Sequence, residues 1–334
     1  MRDLPKVTVV IPAYNMERYV ERSVRSALGQ TYPNLDVLVV DDGSTDATLL
    51  ICRRLAGLHS NLQVVTGPNQ GVAAARNRGT ELAEGTYVAY LDADDLWHPT
   101  KVAKQVGCLL AHDANEGWAA CYTLFRMVNG DDEALSNGPA SGPRGAFFEQ
   151  HLFDNHVGNG SSLLALREAV LEVGGFDPEH VALGMGGCED YDLQLKLLRR
   201  YKVDVVREYL IGYRIHPRQM SMNLTSMALG RIAVIDKFTA AADVPADLRS
   251  KARLAAYSGA SVTFMRAHDW HNLKRARRMI RALGASGGQR LAAFLEPGEA
   301  PRRLAKLGSS ALRLVRKSAR FDELDPCEGL AESA

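Results

Sequence analysis

Three carboxylates stand within four positions at Asp92, Asp94 and Asp95, in the stretch YLDADDLW (90–97). An apolar run, TYVAYL, leads straight into them, so a buried strand delivers the charge to one point. Unpaired like charges at that spacing repel, and something positive should meet them, either basic side chains or a metal ion. Asp92 and Asp94, two residues apart, suit oxygen ligation of Mg2+ or Mn2+, with diphosphate oxygens completing the shell. A second acidic pair, Glu189-Asp190, opens the helical stretch EDYDLQLKLLRR. A carboxylate there can act as a general base toward a hydroxyl; the plainer reading is an acidic first turn favoured by the helix dipole.

The elements around these residues alternate. VTVVIPAY (7–14) reads as a buried strand, and Val20, Val24, Ala27 and Leu28 predict an amphipathic helix over 16–29. DVLVVDD (36–42) is a second strand, after which Asp46 can cap a helix over ATLLICRRLAGL. LQVVT (62–66) is a third strand, GVAAARNRGTELAEG (71–85) a helix ending at Gly85, and TYVAYLD (86–92) a fourth strand. This order predicts an α/β fold with a Rossmann-like, mostly parallel sheet and helices on both faces. Ligands of such sheets bind beyond the carboxyl ends of the strands. PAYN (12–15), DDGSTD (41–46) and DADD (92–95) all fall there. One such cluster is often only a turn or a cap, but three at one edge point to a site. No GxGxxG follows the first strand and GxxxxGK[ST] is absent, so a divalent cation must neutralise much of any bound phosphate.

Beyond residue 125 the pattern loosens. VNGDDEALSNGPASGPRG (128–145) reads as a polar loop, either a surface connection or an acceptor lid. VDVVRE and LIGYRIH read as two short strands, and the chain from 224 onward as mostly helical. The expected division is a catalytic domain over 1–223 and a helical, basic region over 224–334. Residues 1–224 carry 21 Lys/Arg and 28 Asp/Glu, a balance of −7, against 19 and 11, or +8, for the remainder. The five cysteines are scattered, with no metal-ligand spacing linking them, which suggests a reducing compartment. With neither a signal-peptide core nor 18 consecutive apolar residues, the expectation is a cytoplasmic protein.

VTVVIPAYNMERYVERSVRSALGQTYPNLDVLVVDDGSTDAT, NQGVAAARNRG, YVAYLDADDLWHP and GGCEDYDL occur in that order. Together they resemble the family-two inverting glycosyltransferases with a GT-A fold, over residues 5–222, which implies a nucleotide-sugar-binding part over about 1–125 and an acceptor part over about 126–223 of the catalytic domain. The resemblance implies that Pro12, Tyr14 and Asp42 hold the nucleobase, while Asp41 is structural. It implies that Asp92 lies near the ribose and Asp94 on the metal, with Asp95 behind them. Asp190 matches the catalytic base, with Glu189 in support. His216, in YRIHPRQMS (213–221), is a candidate for the metal or diphosphate, or a structural histidine. Arg76 and Arg214 are candidate phosphate contacts, a surface ion pair being the plainer reading of each. NHVGNGSSLLA (155–165) and GGFDPEH (174–180) resemble segments near the sugar and acceptor, although turn geometry explains them equally. Trp97 and Trp118 read as core.

The implied activity is metal-dependent transfer from a nucleotide-diphospho sugar, UDP being the family habit. The acceptor would be a saccharide or a lipid-linked saccharide in polysaccharide synthesis. A sugar-nucleotidyltransferase is the nearest rival, but PAYNMERYV lacks the glycine-rich loop it needs. An inactive binding module is disfavoured by the joint presence of Asp42, Asp92, Asp94 and Asp190. In PRRLAKLGSSALRLVRKSARF (301–321), seven Lys/Arg and no acid surround a stripe of Leu304, Leu307, Ala311 and Leu314. Such a segment either rests reversibly on the inner face of the cell membrane or packs on the main domain. Without interleaved aromatics it does not suggest nucleic-acid binding.

Overall fold

A computed structural model of the chain describes residues 4–140, 142–179, 186–284 and 319–330. Its first seven elements alternate as expected: β1 (Val7–Ala13), α1 (Val20–Leu28), β2 (Leu35–Asp41), α2 (Thr48–Ala56), β3 (Leu62–Thr66), α3 (Val72–Leu82) and β4 (Tyr87–Tyr90). Then come β5 (Leu96–Trp97), α4 (Lys101–Leu110), β6 (Trp118–Val128), β7 (Ala134–Asn137), α5 (Phe148–Phe153), β8 (Leu164–Leu166) and α6 (Arg167–Glu172). The last are α7 (Glu189–Leu198), β9 (Lys202–Arg214), α8 (Leu224–Thr239), α9 (Ala246–Arg266) and α10 (Trp270–Ala282).

The strands form one sheet in the order β3-β2-β1-β4-β8-β6-β9-β5, with β7 added on β6. The parallel pairings, β1 with β2 and β4, β2 with β3, and β6 with β9, are longer than any antiparallel one. β1 is buried along its whole length. Helices cover it on both sides, so its apolar residues run continuously instead of alternating with polar ones. One core contains Val20 and Val24 of α1, Cys52 and Leu55 of α2, and Val102 and Val106 of α4. The other contains Ala73 and Ala75 of α3, Ala169 and Val170 of α6, and Leu193 and Leu197 of α7. Gly79 lets α3 lie against β1, since a Cβ there would stand 2.2 Å from a Val10 methyl.

Several boundaries differ from the sequence expectation. The first helix begins only at Val20, because Asn15 takes a left-handed φ of 54° and the chain turns through Met16–Tyr19. The third helix stops at Leu82 rather than Gly85, and β4 ends at Tyr90, leaving Asp92 beyond the strand. The presumed loop over 128–145 contains β7, a strand hairpinned onto β6. The two expected short strands are one strand, β9, of 13 residues.

The helical region rests on the part of the chain over 126–223. Val234, Ile235 and Phe238 of α8 and Ala252 and Ala256 of α9 share a core with Leu152, Tyr191 and Leu195. The chain then returns to the sheet, which its reading as helix did not anticipate. Phe321 packs against Leu96 and Val128, and the Arg126 guanidinium donates to the Asp325 and Glu328 carbonyls at 2.7 and 2.9 Å. Residues 301–318, most of the basic stripe, lie outside the described residues. Among the described residues no helix is long and apolar enough to cross a membrane.

Candidate active site

The tips of β2, β1 and β4 are neighbours, so the three polar clusters meet along one edge. Past β4 the chain makes a tight turn, with the Asp95 N–H donating to the Asp92 carbonyl at 3.0 Å. This turn sends the three carboxylates to different partners. Asp92 accepts from Arg76 Nη2 at 2.5 Å, and its side chain is 26% exposed. Asp94 Oδ2 lies 2.9 Å from His216 Nε2. Asp95 is buried, accepting from Ser161 Oγ at 2.6 Å and from the Arg214 N–H at 2.9 Å. Burial drives the Asp95 carboxyl well above the ordinary carboxylate range, and the charges of Asp94 and Asp92 add to this. Asp92 is also pushed up by burial, which Arg76 opposes and Asp94 reinforces.

Arg76 is buried on α3 and forked between two acids. Nη1 donates to Glu189 Oε1 at 2.8 Å while Nη2 holds Asp92. The other Glu189 oxygen accepts the Gly187 N–H at 3.1 Å. The guanidinium is thus a tie between the β4 tip and the first turn of α7 rather than an open phosphate contact. Next to Glu189, Asp190 is half-buried and accepts the Tyr191 N–H at 2.6 Å. Burial and the Glu189 charge push its carboxyl up to about 7, with Arg76 opposing. A half-buried carboxyl with that affinity has the property required of a general base near neutral pH.

Arg214 likewise proves internal. Its guanidinium donates to the Asp94 and Asn129 carbonyls, each at 2.6 Å, and to Asp132 Oδ1 at 2.5 Å. The His216 ring has a partner on each nitrogen: Nδ1 accepts the Arg218 N–H at 3.3 Å, which leaves Nε2–H to donate to Asp94.

At the β2 tip, the Asp42 oxygens accept the Gln70 and Gly71 N–H groups, each at 2.8 Å, and so fix the start of α3. Gly71 has a φ of 89°, a conformation that favours glycine. A cavity of about 350 Å³ opens beside Asp42, lined also by Thr66, Gln70, Ala75 and Arg78. Asp41 is buried and accepts Thr66 Oγ1 at 2.7 Å, which agrees with a structural role. Tyr14 is exposed and does not line this cavity, whereas Pro12 is buried inside β1 opposite Val40.

Two residues of the site were not singled out from the sequence. Ser161 donates to Asp95 and accepts the Asp92 N–H at 3.0 Å, so one hydroxyl organises the turn; GNGSS is its only local signal. Asp132, from the presumed loop, neutralises the buried Arg214.

A family model described as Glycosyl transferase family 2 matches residues 8–156. The chain is 38% identical over 135 residues to a chondroitin synthase of Pasteurella multocida (strain Pm70), covering 40% of this chain but only 14% of that protein. It is 30% identical over 230 residues to the uncharacterized glycosyltransferase alr2836 of Nostoc sp., covering 66% of this chain and 68% of that one. Among solved structures, the mannosyltransferase PcManGT from Pyrobaculum calidifontis, in complex with GDP-Man and Mn2+, is similar in fold. Its TM-score is 0.61 at 22% identity, over 93% of this chain and 86% of that one. S. aureus TarS 1-349 in complex with UDP-GlcNAc has a TM-score of 0.52 at 17% identity, over 83% and 92%. These likenesses show a GT-A glycosyltransferase fold, and the match along the Nostoc relative shows that the chain belongs to glycosyltransferase family 2.

Proposed function

We propose that this chain is a metal-dependent inverting glycosyltransferase. It moves a sugar from a nucleotide-diphospho sugar, with UDP-sugars the first donors to test, to a saccharide or lipid-linked saccharide in polysaccharide synthesis. The observation that carries this reading is Asp190, whose carboxyl is raised to about 7 by burial and Glu189 and lies within the field of Arg76 and Asp92.

The donor types present suit a divalent cation, although among the described residues the ligand atoms of Asp92, Asp94 and His216 do not all gather within 4.8 Å of one another. The carboxylates of Asp92 and Asp94 and the imidazole of His216 are a hard oxygen and nitrogen set suited to Mn2+ or Mg2+. Five carboxylates gather here, while Arg76 is shared by two of them and Arg214 is offset by Asp132. When bound, the cation supplies Lewis-acid stabilisation of the leaving diphosphate. Asp94 is the principal ligand in this reading. His216 orients Asp94 through its Nε2–H, and to ligate it would have to surrender that hydrogen and the Arg218 contact.

The protein's own groups supply the rest. The cavity beside Asp42 receives the nucleobase, and the exposed Tyr14 is the ring available to pack on it. Arg76 and Glu189 hold Asp190 at a fixed distance from the β4 tip. Asp190 takes the acceptor hydroxyl proton as the oxygen bonds to the anomeric carbon and the diphosphate departs. A single displacement of this kind inverts the anomeric centre. The structural relatives bound to GDP-Man with Mn2+ and to UDP-GlcNAc support a nucleotide-sugar donor. A lipid-linked acceptor would place the enzyme at the inner face of the cell membrane, with 301–321 as its attachment.

The test is thermal shift against UDP-, GDP- and dTDP-sugars with and without Mn2+. A cation-dependent shift with one donor class supports the reading. Shifts that ignore the cation, or no shift with any donor, would contradict it.

A further inference from the structure

The five cysteines show no metal-ligand spacing among themselves, but the fold pairs one of them with other residue types. The ligand atoms of Cys108, His112 and Asp204 all lie within 4.8 Å of one another. Cys108 is on α4, His112 follows the end of that helix by four positions from Cys108, and Asp204 is the third residue of β9. Asp204 and Arg214 stand at opposite ends of β9, so ten residues, or roughly 30 Å at about 3.3 Å each, separate this cluster from the DADD turn.

We propose that Cys108, His112 and Asp204 form a zinc site tying α4 to the start of β9. A thiolate, an imidazole and a carboxylate are a set that Zn2+ accepts, with water in the fourth position. His112 Nε2 and Asp204 Oδ2 are 2.5 Å apart and share a hydrogen that the metal would replace. Tetrahedral ligands at about 2.1 Å from Zn2+ stand roughly 3.4 Å apart, so this pair opens by about 1 Å on binding. The surroundings fix the imidazole. Its ring stacks on Trp118 at 4.0 Å, and Glu116 Oε2, which accepts the Trp118 Nε1–H at 2.9 Å, lies 3.9 Å from Nδ1, close enough to favour a hydrogen on that nitrogen by charge but not to accept it. Without metal, Arg144 balances Asp204 at 3.0 Å; its side chain is 54% exposed and is free to withdraw into water.

The test is titration of the reduced full-length chain with Co2+ as an optical substitute for Zn2+. Cobalt bound to a thiolate gives a sulfur-to-metal charge-transfer absorption, which the oxygen and nitrogen donors near Asp94 cannot produce. The expected result is an absorption that saturates at one equivalent, is abolished by added Zn2+, and is lost in Cys108→Ala and in His112→Ala. It should survive in Cys327→Ala, which removes the exposed thiol near the C-terminus. Zn2+ should also raise the melting temperature of the unaltered chain by more than it raises that of His112→Ala, which keeps the Asp92–Asp94 pair. Absence of the absorption, or its persistence in Cys108→Ala, overturns the proposal. If Cys108→Ala does not fold, persistence in His112→Ala overturns it equally.

Discussion

Glu189 Oε1 sits 2.8 Å from Arg76 Nη1, and both side chains are almost completely buried. Because the same guanidinium holds Asp92, the helix turn that presents Asp190 is fastened to the strand tip that presents Asp94. Removing the cation would leave two acids facing each other. Arg76→Met should therefore destabilise the fold by about 3–5 kcal/mol, the usual cost of breaking a buried pair from one side. Urea denaturation followed by circular dichroism measures this. A loss under about 1 kcal/mol would mean that the tie is not structural.

The raised Asp190 carboxyl makes a prediction about pH with a definite sign. A general base must be ionised, so turnover should rise with pH and level off above about 7. Stability should move the other way. A carboxyl whose folded pKa exceeds its unfolded one stabilises the fold below the unfolded value, and that contribution is lost as pH rises through about 7. Asp190→Asn should then melt higher than the unaltered protein at pH 8 while turning over about two to four orders of magnitude more slowly. Scanning calorimetry at pH 5 and 8 provides the first comparison, and the gap between the two proteins should narrow at pH 5.

His216 meets Asp94 from across 122 residues. Whether it orients that carboxylate or ligates metal directly, losing it should weaken cation-dependent nucleotide binding by about 10–100-fold. Calorimetric titration of UDP into His216→Ala at several Mn2+ concentrations reads this directly. Unchanged affinity would assign the histidine to packing against Tyr19, whose ring centroid lies 5.0 Å away.

Phe321 is 2% exposed and fills a pocket on the sheet where Gly212 leaves room for its ring. Phe321→Ala should cost about 3–5 kcal/mol, as for other buried phenylalanines. A chain shortened to end near 298 would lose this anchor together with the basic stripe. Vesicle co-sedimentation of 301–321 is therefore better done with charge-reversed Arg302, Arg303 and Lys306 in the full chain. Unchanged binding to anionic vesicles after that reversal would exclude this cluster as the membrane contact.

The front of the fold was legible because β1, β2 and β4 are buried on both faces and write continuous apolar runs. β9 was read as two strands, VDVVRE ending on the charged Arg207 and Glu208 and LIGYRIH resuming after Tyr209. The two charged residues fall where the β6–β9 register jumps from Val206 to Tyr209, so the strand continues while its pairing does not. The acids at the strand tips were legible by type and spacing. Their partners were not, since Arg76–Glu189 and Asp94–His216 join positions more than 100 residues apart, and no local pattern marks which cation a buried carboxylate meets. Ser161 was hidden for a related reason: a serine in a glycine-rich turn looks the same whether it caps the turn or organises a site. Cys108 escaped because it was compared only with other cysteines, not with the histidine four positions on.

The most direct test of the proposed chemistry uses water as the acceptor, which avoids the unidentified saccharide. The protein is incubated with Mn2+ and the donor selected by thermal shift, and proton NMR follows the anomeric signal of the released sugar from the first turnovers. The predicted result is Mn2+-dependent release of nucleoside diphosphate with inverted sugar, lost in Asp190→Asn while that variant still binds the donor. Release of sugar with retained configuration, or an Asp190→Asn variant that turns over at the normal rate, would contradict it.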